Sequence, residues 1–283
     1  MKISIITDTD SSLPAAVAEK YGIRQVPITI QFDDRRSYAT GVDIDDRLLF
    51  EEIDRQKKLP TTAAPTPGAF ANAFEEAFHD GAEAVICICV SSKVSATYSS
   101  ALAAAEMFPN KDVTIIDSLN LSMGQAFMAM EAVEAVRQGA GKAEAVVKAI
   151  EAGRRVHTYV LLATLKYLAM GGRVGKLAAG MGDTFNIRPI LTVKEGRLDL
   201  LERIRTSKKA IDRLLELTSQ AVGGKSIQRM AFLHVNNLKG ANAFQSQLGE
   251  LVDFPPEVLT AELTPGLSVH GGAGAVGVAV LTD

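Results

Sequence analysis

Two short runs place small hydroxyl side chains where an anion can be held. Thr61-Thr62 follows Pro60 and precedes Ala63-Ala64-Pro65. Ser91-Ser92-Lys93-Val94-Ser95-Ala96-Thr97-Tyr98 follows an unbroken apolar stretch. Each reads as the end of an extended segment directly before a helix, with Ser95 as a helix N-cap. N–H groups at a helix start lack intrahelical acceptors, and with adjacent hydroxyls they form a neutral cradle for an anion. Far downstream, Pro265-Gly266-Leu267-Ser268-Val269-His270-Gly271-Gly272 reads as a glycine-rich turn that presents His270. His79, His157 and His234 fall inside helix or strand patterns and read as structural. The three segments together point to a site for one carboxylate, held by hydroxyls and amides without a buried arginine.

Other motifs offer other chemistries. Asp8-Thr9-Asp10-Ser11-Ser12 ends the first predicted strand, where an aspartyl-phosphate phosphatase would place its nucleophile and magnesium ligands. We read it as a turn-and-cap cluster; a magnesium-dependent phosphohydrolase using Asp8 and Asp10 is the alternative function. Gly272-Ala273-Gly274-Ala275-Val276-Gly277 matches a dinucleotide fingerprint in letters, but it leads into a short strand and not into a helix. Gly171 to Lys176 resembles a phosphate-binding loop, but its first glycine is one residue too close and Leu177 replaces the magnesium-binding hydroxyl. Cys87 and Cys89 alternate with apolar residues on one strand, which is poor disulfide geometry, so buried reduced thiols are expected. No Cys/His spacing suggests a metal site.

These motifs need elements to position them. The chain has 283 residues, 47% of them hydrophobic, with a net charge of −3. That is enough for two globular domains and argues against general nucleic-acid binding. The N-terminal segment reads as a strand that turns polar too early for a signal peptide, so the cytoplasm is the expected compartment. Up to residue 155, predicted strands over 3–7, 25–31, 84–90 and 113–117 alternate with helices over 13–21, 45–56, 66–79, 97–108, 120–138 and 142–153. This pattern indicates a parallel sheet covered on both faces. Beyond it, strands over 190–193 and 198–204 flank Lys194-Glu195-Gly196-Arg197, a hairpin signal that implies a mixed sheet. The expected fold is α/β with two domains, 1–155 and 156–283, and a ligand cleft between them. Residues 166–209 carry ten basic and four acidic side chains, a local excess of +6 that could meet an acidic partner or an anionic membrane surface.

Taken in order, several segments resemble one family: Asp8-Thr9-Asp10-Ser11-Ser12-Leu13-Pro14, Pro60-Thr61-Thr62, Ser95-Ala96-Thr97-Tyr98, Ile116-Asp117-Ser118, Gly171-Gly172-Arg173-Val174, Asn186-Ile187-Arg188-Pro189-Ile190 and Val269-His270-Gly271-Gly272-Ala273-Gly274. The chain is similar over nearly its whole length to the DegV family, the fatty-acid-binding subunit of the bacterial fatty acid kinase system. The resemblance implies a non-catalytic carrier without a cofactor. Thr62 and Ser95 would hold the carboxylate of a long-chain fatty acid, with Thr61 and His270 in the same hydrogen-bond network. The acyl chain would run in an apolar tunnel between the layers. A separate ATP-dependent kinase would phosphorylate the carboxylate to an acyl phosphate, and Arg173 and Arg205 would lie near the mouth, Arg205 toward the kinase. The family usually has Gly where Ala96 stands and a more polar pair at Ala63-Ala64.

Overall fold

The computed structural model describes residues 1–32, 36–172 and 187–283. The chain begins with Ile3–Asp8 (β1), a 3₁₀ turn over Thr9–Ser11, Ala15–Tyr21 (α1) and Ile23–Val26 (β2). The strand expected over 25–31 is broken at Pro27, which has no N–H to give a ladder. Thr29–Gln31 (β3) instead joins a small antiparallel sheet with Ser37–Ala39 (β4). Asp46–Gln56 (α2), capped by the Asp45 carboxylate on Leu48 N, leads to the third strand of that sheet, Thr61–Ala63 (β5). The run Pro67–His79 (α3) starts as its sequence indicates, with Thr66 accepting from Ala69 N and Pro67 at the first helical position.

Ala84–Cys89 (β6), Thr97–Ala105 (α4), Asp112–Asp117 (β7), Met123–Arg137 (α5) and Lys142–Arg155 (α6) follow. The first sheet has the order β2-β1-β6-β7 and is parallel throughout. From β1 the chain steps to one side through α1 and β2, then returns to the other side at β6. Such a reversal of strand order opens a crevice above the carboxyl ends of the two central strands.

The rest of the chain comprises Val156–Leu161 (β8), Lys166–Met170 (α7), Arg188–Lys194 (β9), Arg197–Ile204 (β10), Ser207–Val222 (α8), Ile227–His234 (β11), Leu238–Leu248 (α9), Val258–Glu262 (β12), Pro265–Gly271 (α10) and Val276–Thr282 (β13). Its strands form a mixed sheet of order β10-β9-β8-β13-β11-β12; among the described strands of this sheet, only β11 and β12 are a parallel pair. The expected hairpin is β9–β10, and its turn residues Glu195 and Gly196 both have positive φ.

The layers explain why the sequence is so rich in apolar residues. On one face of the parallel sheet, Phe70 and Phe74 of α3 and Ala101 and Ala104 of α4 pack on Val85, Cys87 and Cys89. On the other face, Ile86 and Ile88 pack against α5. Helix α5 is buried on every side from Met123 through Met130, because its far side rests on β8 and β13 of the mixed sheet. Helices α8 and α9 cover the outer face of that sheet, with Leu214 and Phe244 against Phe232 and Val278. Cys87 and Cys89 are buried free thiols with their sulfurs 3.8 Å apart. The neighbouring Cys87 and burial together push the Cys89 thiol up. Among the described residues, no helix is long and apolar enough to cross a membrane.

Candidate functional site

A cavity of about 510 Å³ lies where the crevice of the parallel sheet faces the mixed sheet. The loop after β1 contributes Asp10 to its wall, the loop after β6 contributes Ser92 and Ser95, and the loop after β7 contributes Leu121 and Ser122. Opposite, β8 and β9 contribute Val160, Leu191 and Val193, while α10 supplies Leu267 and His270. Polar lining is hydroxyl-rich, and no lysine or arginine is among the described lining residues. Leu162, Leu168, Leu233 and Leu263 complete an extensive aliphatic wall. This volume falls within the roughly 300–1,000 Å³ of small-molecule sites.

The structure brings Thr62, Ser95 and His270 to this one cavity, from three distant parts of the chain. The way each is presented differs from expectation. Thr62 lies on a strand, and the next helix is capped only at Thr66. In β5, Thr62 is opposite Ile30 and Thr61 opposite Gln31. Successive side chains of a strand point to opposite sides, so the register sends one threonine inward. Thr61 is exposed, is not part of the cavity wall, and donates its hydroxyl to the Gln31 carbonyl at 3.4 Å.

Ser95 is not the N-cap. That position belongs to Ala96, which has no capping side chain. Ser95 Oγ instead accepts from Thr97 N at 3.3 Å and lies 2.8 Å from Thr97 Oγ1, which fixes the hydroxyl at the helix entrance. The loop that carries it is anchored by Ser91 Oγ donating to the Gly196 carbonyl (2.7 Å) and by Ser92 N donating to Asp117 Oδ1 (3.0 Å). His270 sits in the last turn of helix α10 and not in an open turn. Gly171, which ends α7, also makes room for the histidine: a Cβ there would collide with the His270 ring.

Below the cavity, Asp8 is fully buried and committed to structure. Its carboxylate accepts from Val90 N (2.7 Å), Gln125 Nε2 (3.0 Å) and Asp10 N (3.0 Å). Burial raises its pKa to about 6 against these opposing hydrogen bonds. Such a group ties the ends of β1 and β6 together and does not face a substrate, so nothing here favours the phosphohydrolase reading. Asp10 does reach the cavity wall, where Gly266 of α10 closes on it; a Cβ at that glycine would overlap the Asp10 carboxyl. Among the described residues, no three His, Cys, Asp or Glu side chains converge as a metal would require.

Behind α10, Asp46 of α2 is almost entirely buried and lies 2.7 Å from Ser268 Oγ. Burial, opposed by that hydrogen bond and reinforced by Glu262 and Asp45, raises its pKa to about 8. Ser268 has one hydroxyl proton and two neighbouring acceptors, Asp46 Oδ2 and the Leu263 carbonyl at 2.9 Å. A protonated Asp46 satisfies both contacts by donating to Ser268, which donates onward.

Sequence reasoning missed Ser122 and Thr158, which also line the cavity. Their only signals are position: Ser122 precedes a helix after a parallel strand, and Thr158 interrupts an aliphatic alternation on β8. Of the two expected docking arginines, Arg205 is exposed immediately after β10, away from the cavity wall, and Arg173 lies outside the described residues, as do Lys176 and Asp183.

A family model described as an uncharacterised protein of the DegV family matches residues 2–283. The DegV protein of Bacillus subtilis is 31% identical over 280 residues, covering 98% of both chains. A DegV domain-containing protein of Mycobacterium bovis is 34% identical over 283 residues, covering 99% of this chain and 97% of its own. Among solved structures, a DegV-family protein from Thermus thermophilus, described as fatty-acid-binding, superposes with a TM-score of 0.93 at 29% identity and full coverage of both chains. DegV from Bacillus subtilis, described as a fatty acid binding protein, gives 0.88 at 29% identity, again over the full length of both. With the model matched from end to end and relatives above 30% identity across both chains, the chain belongs to the DegV family.

Proposed function

We propose that this protein binds a long-chain fatty acid in the cavity, with the carboxylate at the Thr62 and Ser95 hydroxyls and His270 in the same polar cluster. The observation that carries this reading is a single cavity whose wall combines hydroxyls from the loops above the parallel sheet with an aliphatic surface drawn mainly from the mixed sheet. Fatty-acid binding by the Thermus and Bacillus relatives supports it. Each methylene removed from water contributes about 0.8 kcal/mol, so a chain of a dozen gives about 10 kcal/mol before ordering costs. The carboxylate then sets direction more than affinity. Thr61, which faces outward, has no part in this arrangement.

In this reading the protein is a carrier. It offers the carboxylate to a separate ATP-dependent kinase for phosphorylation to an acyl phosphate, and it contributes no cofactor and no catalytic group. This step rests on the family resemblance and on the exposed basic residues Arg205, Lys208 and Lys209 beside the end of β10. The same residues suit a transient contact with an anionic membrane surface. Native mass spectrometry of the purified protein tests the core of the proposal. Adducts at fatty-acid masses are expected, and Thr62→Val combined with Ser95→Ala should remove most of them. Full lipid occupancy in the double variant would sink the carboxylate assignment.

A further inference from the structure

The tip of the β9–β10 hairpin is buried although its neighbours are not. Lys194, Glu195 and Arg197 are exposed, while Gly196 among them is buried at φ 79°. It sits in a socket made by the two loops that follow β6 and β7. A Cβ on Gly196 would lie 2.5 Å from Ser91 Oγ, 3.0 Å from Leu119 Cδ2 and 3.1 Å from Lys93 Cγ. Any side chain is therefore excluded twice, by the backbone conformation and by the socket. The two strands that carry this tip place Val193 and Leu198 in the cavity wall.

Ser91 is the other half of the junction. It is fully buried and is not itself part of the cavity wall. Each of its polar groups is committed. Its N–H donates to the Asn120 carbonyl at 3.0 Å, in the loop after β7. Its carbonyl accepts from Val94 N (3.1 Å) and Ser95 N (3.2 Å), closing the turn that ends on Ser95. Its hydroxyl accepts from Lys93 N (3.2 Å) and donates its one proton to the Gly196 carbonyl (2.7 Å). One residue thus joins the turn beneath Ser95 to the hairpin of the opposite sheet.

We propose that Ser91 is a positioning residue: through Gly196 it makes the hold of Ser95 on the carboxylate depend on the hairpin that also walls the acyl chain. The proposal rests on the fatty-acid reading above and deepens it by naming what sets the Ser95 hydroxyl. Hydrogen bonds weaken steeply when direction and distance are wrong, and those to an anion are the strong ones. Without the Ser91 hydroxyl the turn keeps its backbone contacts but loses its tie to the mixed sheet. The aliphatic wall is built by other residues, so the loss falls on the head group and not on the chain.

The test is displacement of a fluorescent fatty acid from the delipidated full-length protein by palmitate and by hexadecanol, which has the same chain length and no carboxylate. The readout is the ratio of the two affinities, and the native protein should prefer palmitate. Ser91→Ala should cut that preference about three- to tenfold, the equivalent of one weakened hydrogen bond, with hexadecanol affinity unchanged. Gly196→Ala, which pushes on Ser91 Oγ from the hairpin side, should lower the ratio in the same way. In a Ser95→Ala background, Ser91→Ala should have little further effect, because the two residues act as one unit. The proposal is overturned if Ser91→Ala leaves the ratio at its native value, or if its effect adds in full to that of Ser95→Ala. It is overturned equally if both affinities fall together, the mark of a merely structural residue. A native protein that binds the two ligands equally removes the carboxylate assignment, and one that binds neither removes the fatty-acid reading. Those results appear before any variant is made, which separates them from failure of the Ser91 proposal alone.

Discussion

Asp46 shows how a single residue beside the cavity ties function-bearing structure to pH. In the unfolded chain it titrates as an ordinary aspartate; buried against Ser268 it titrates near 8. Between about pH 4 and 8 the folded protein therefore holds a proton that the unfolded chain has released, and stability falls as pH rises through this window. The contribution is complete below the ordinary carboxylate range and gone once pH passes the folded value. Asp8, raised to about 6, acts in the same direction over a narrower window. Asp46→Asn keeps an uncharged donor toward Ser268. Its melting temperature should therefore decline less than that of the native protein from about pH 5 to 8; parallel curves would mean that Asp46 is ionised when folded. No feature of the sequence signals this, because Asp45-Asp46 reads as an ordinary helix start. Only the approach of α10 removes one of the two aspartates from water.

At the scale of elements, the strand β13 lies inside the mixed sheet, antiparallel to β8 on one side and to β11 on the other. Gly277 sits within it because nothing larger fits: a Cβ there would lie 2.5 Å from the Tyr159 carbonyl oxygen and 2.9 Å from Val160 Cγ2 on β8. Neighbouring backbone cannot give way as a flexible side chain does. Gly277→Ala should cost about 1–3 kcal/mol of stability in denaturant unfolding, and an unchanged midpoint would show that β8 can move aside. Because Val160 lines the cavity, lipid occupancy should fall as well. Two elements depart from their local sequence patterns. The glycines around His270 suggest a turn, but Thr264 before Pro265 marks a helix start, and Gly272, at φ 77°, marks only its end. The adjacent threonines are equivalent in sequence; pairing with Ile30 and Gln31 makes one of them a wall residue and the other a surface residue.

Across the whole molecule, α5 is the layer shared by both sheets, and its residues from Met123 through Met130 are all buried. The cavity lies beside this layer, while the basic end of β10 is on the outside. Charge reversal there should separate loading from delivery. On the proposed delivery to a separate kinase, Arg205→Glu is expected to lower acyl-phosphate formation about tenfold, chiefly through slower association, with lipid occupancy by mass spectrometry unchanged. Equal rates for variant and native protein would place the docking surface elsewhere. The parallel sheet, its helical covers, the β9–β10 hairpin and the family were legible in the chain, since hydrophobic period, turn residues and motif order are local properties. Which threonine faces inward, where Ser95 stands relative to its helix, that Ser122 and Thr158 line the cavity and that Asp46 is buried were not. Those depend on strand register and on contacts between segments far apart in the chain, and such contacts exist only after the two sheets close on α5.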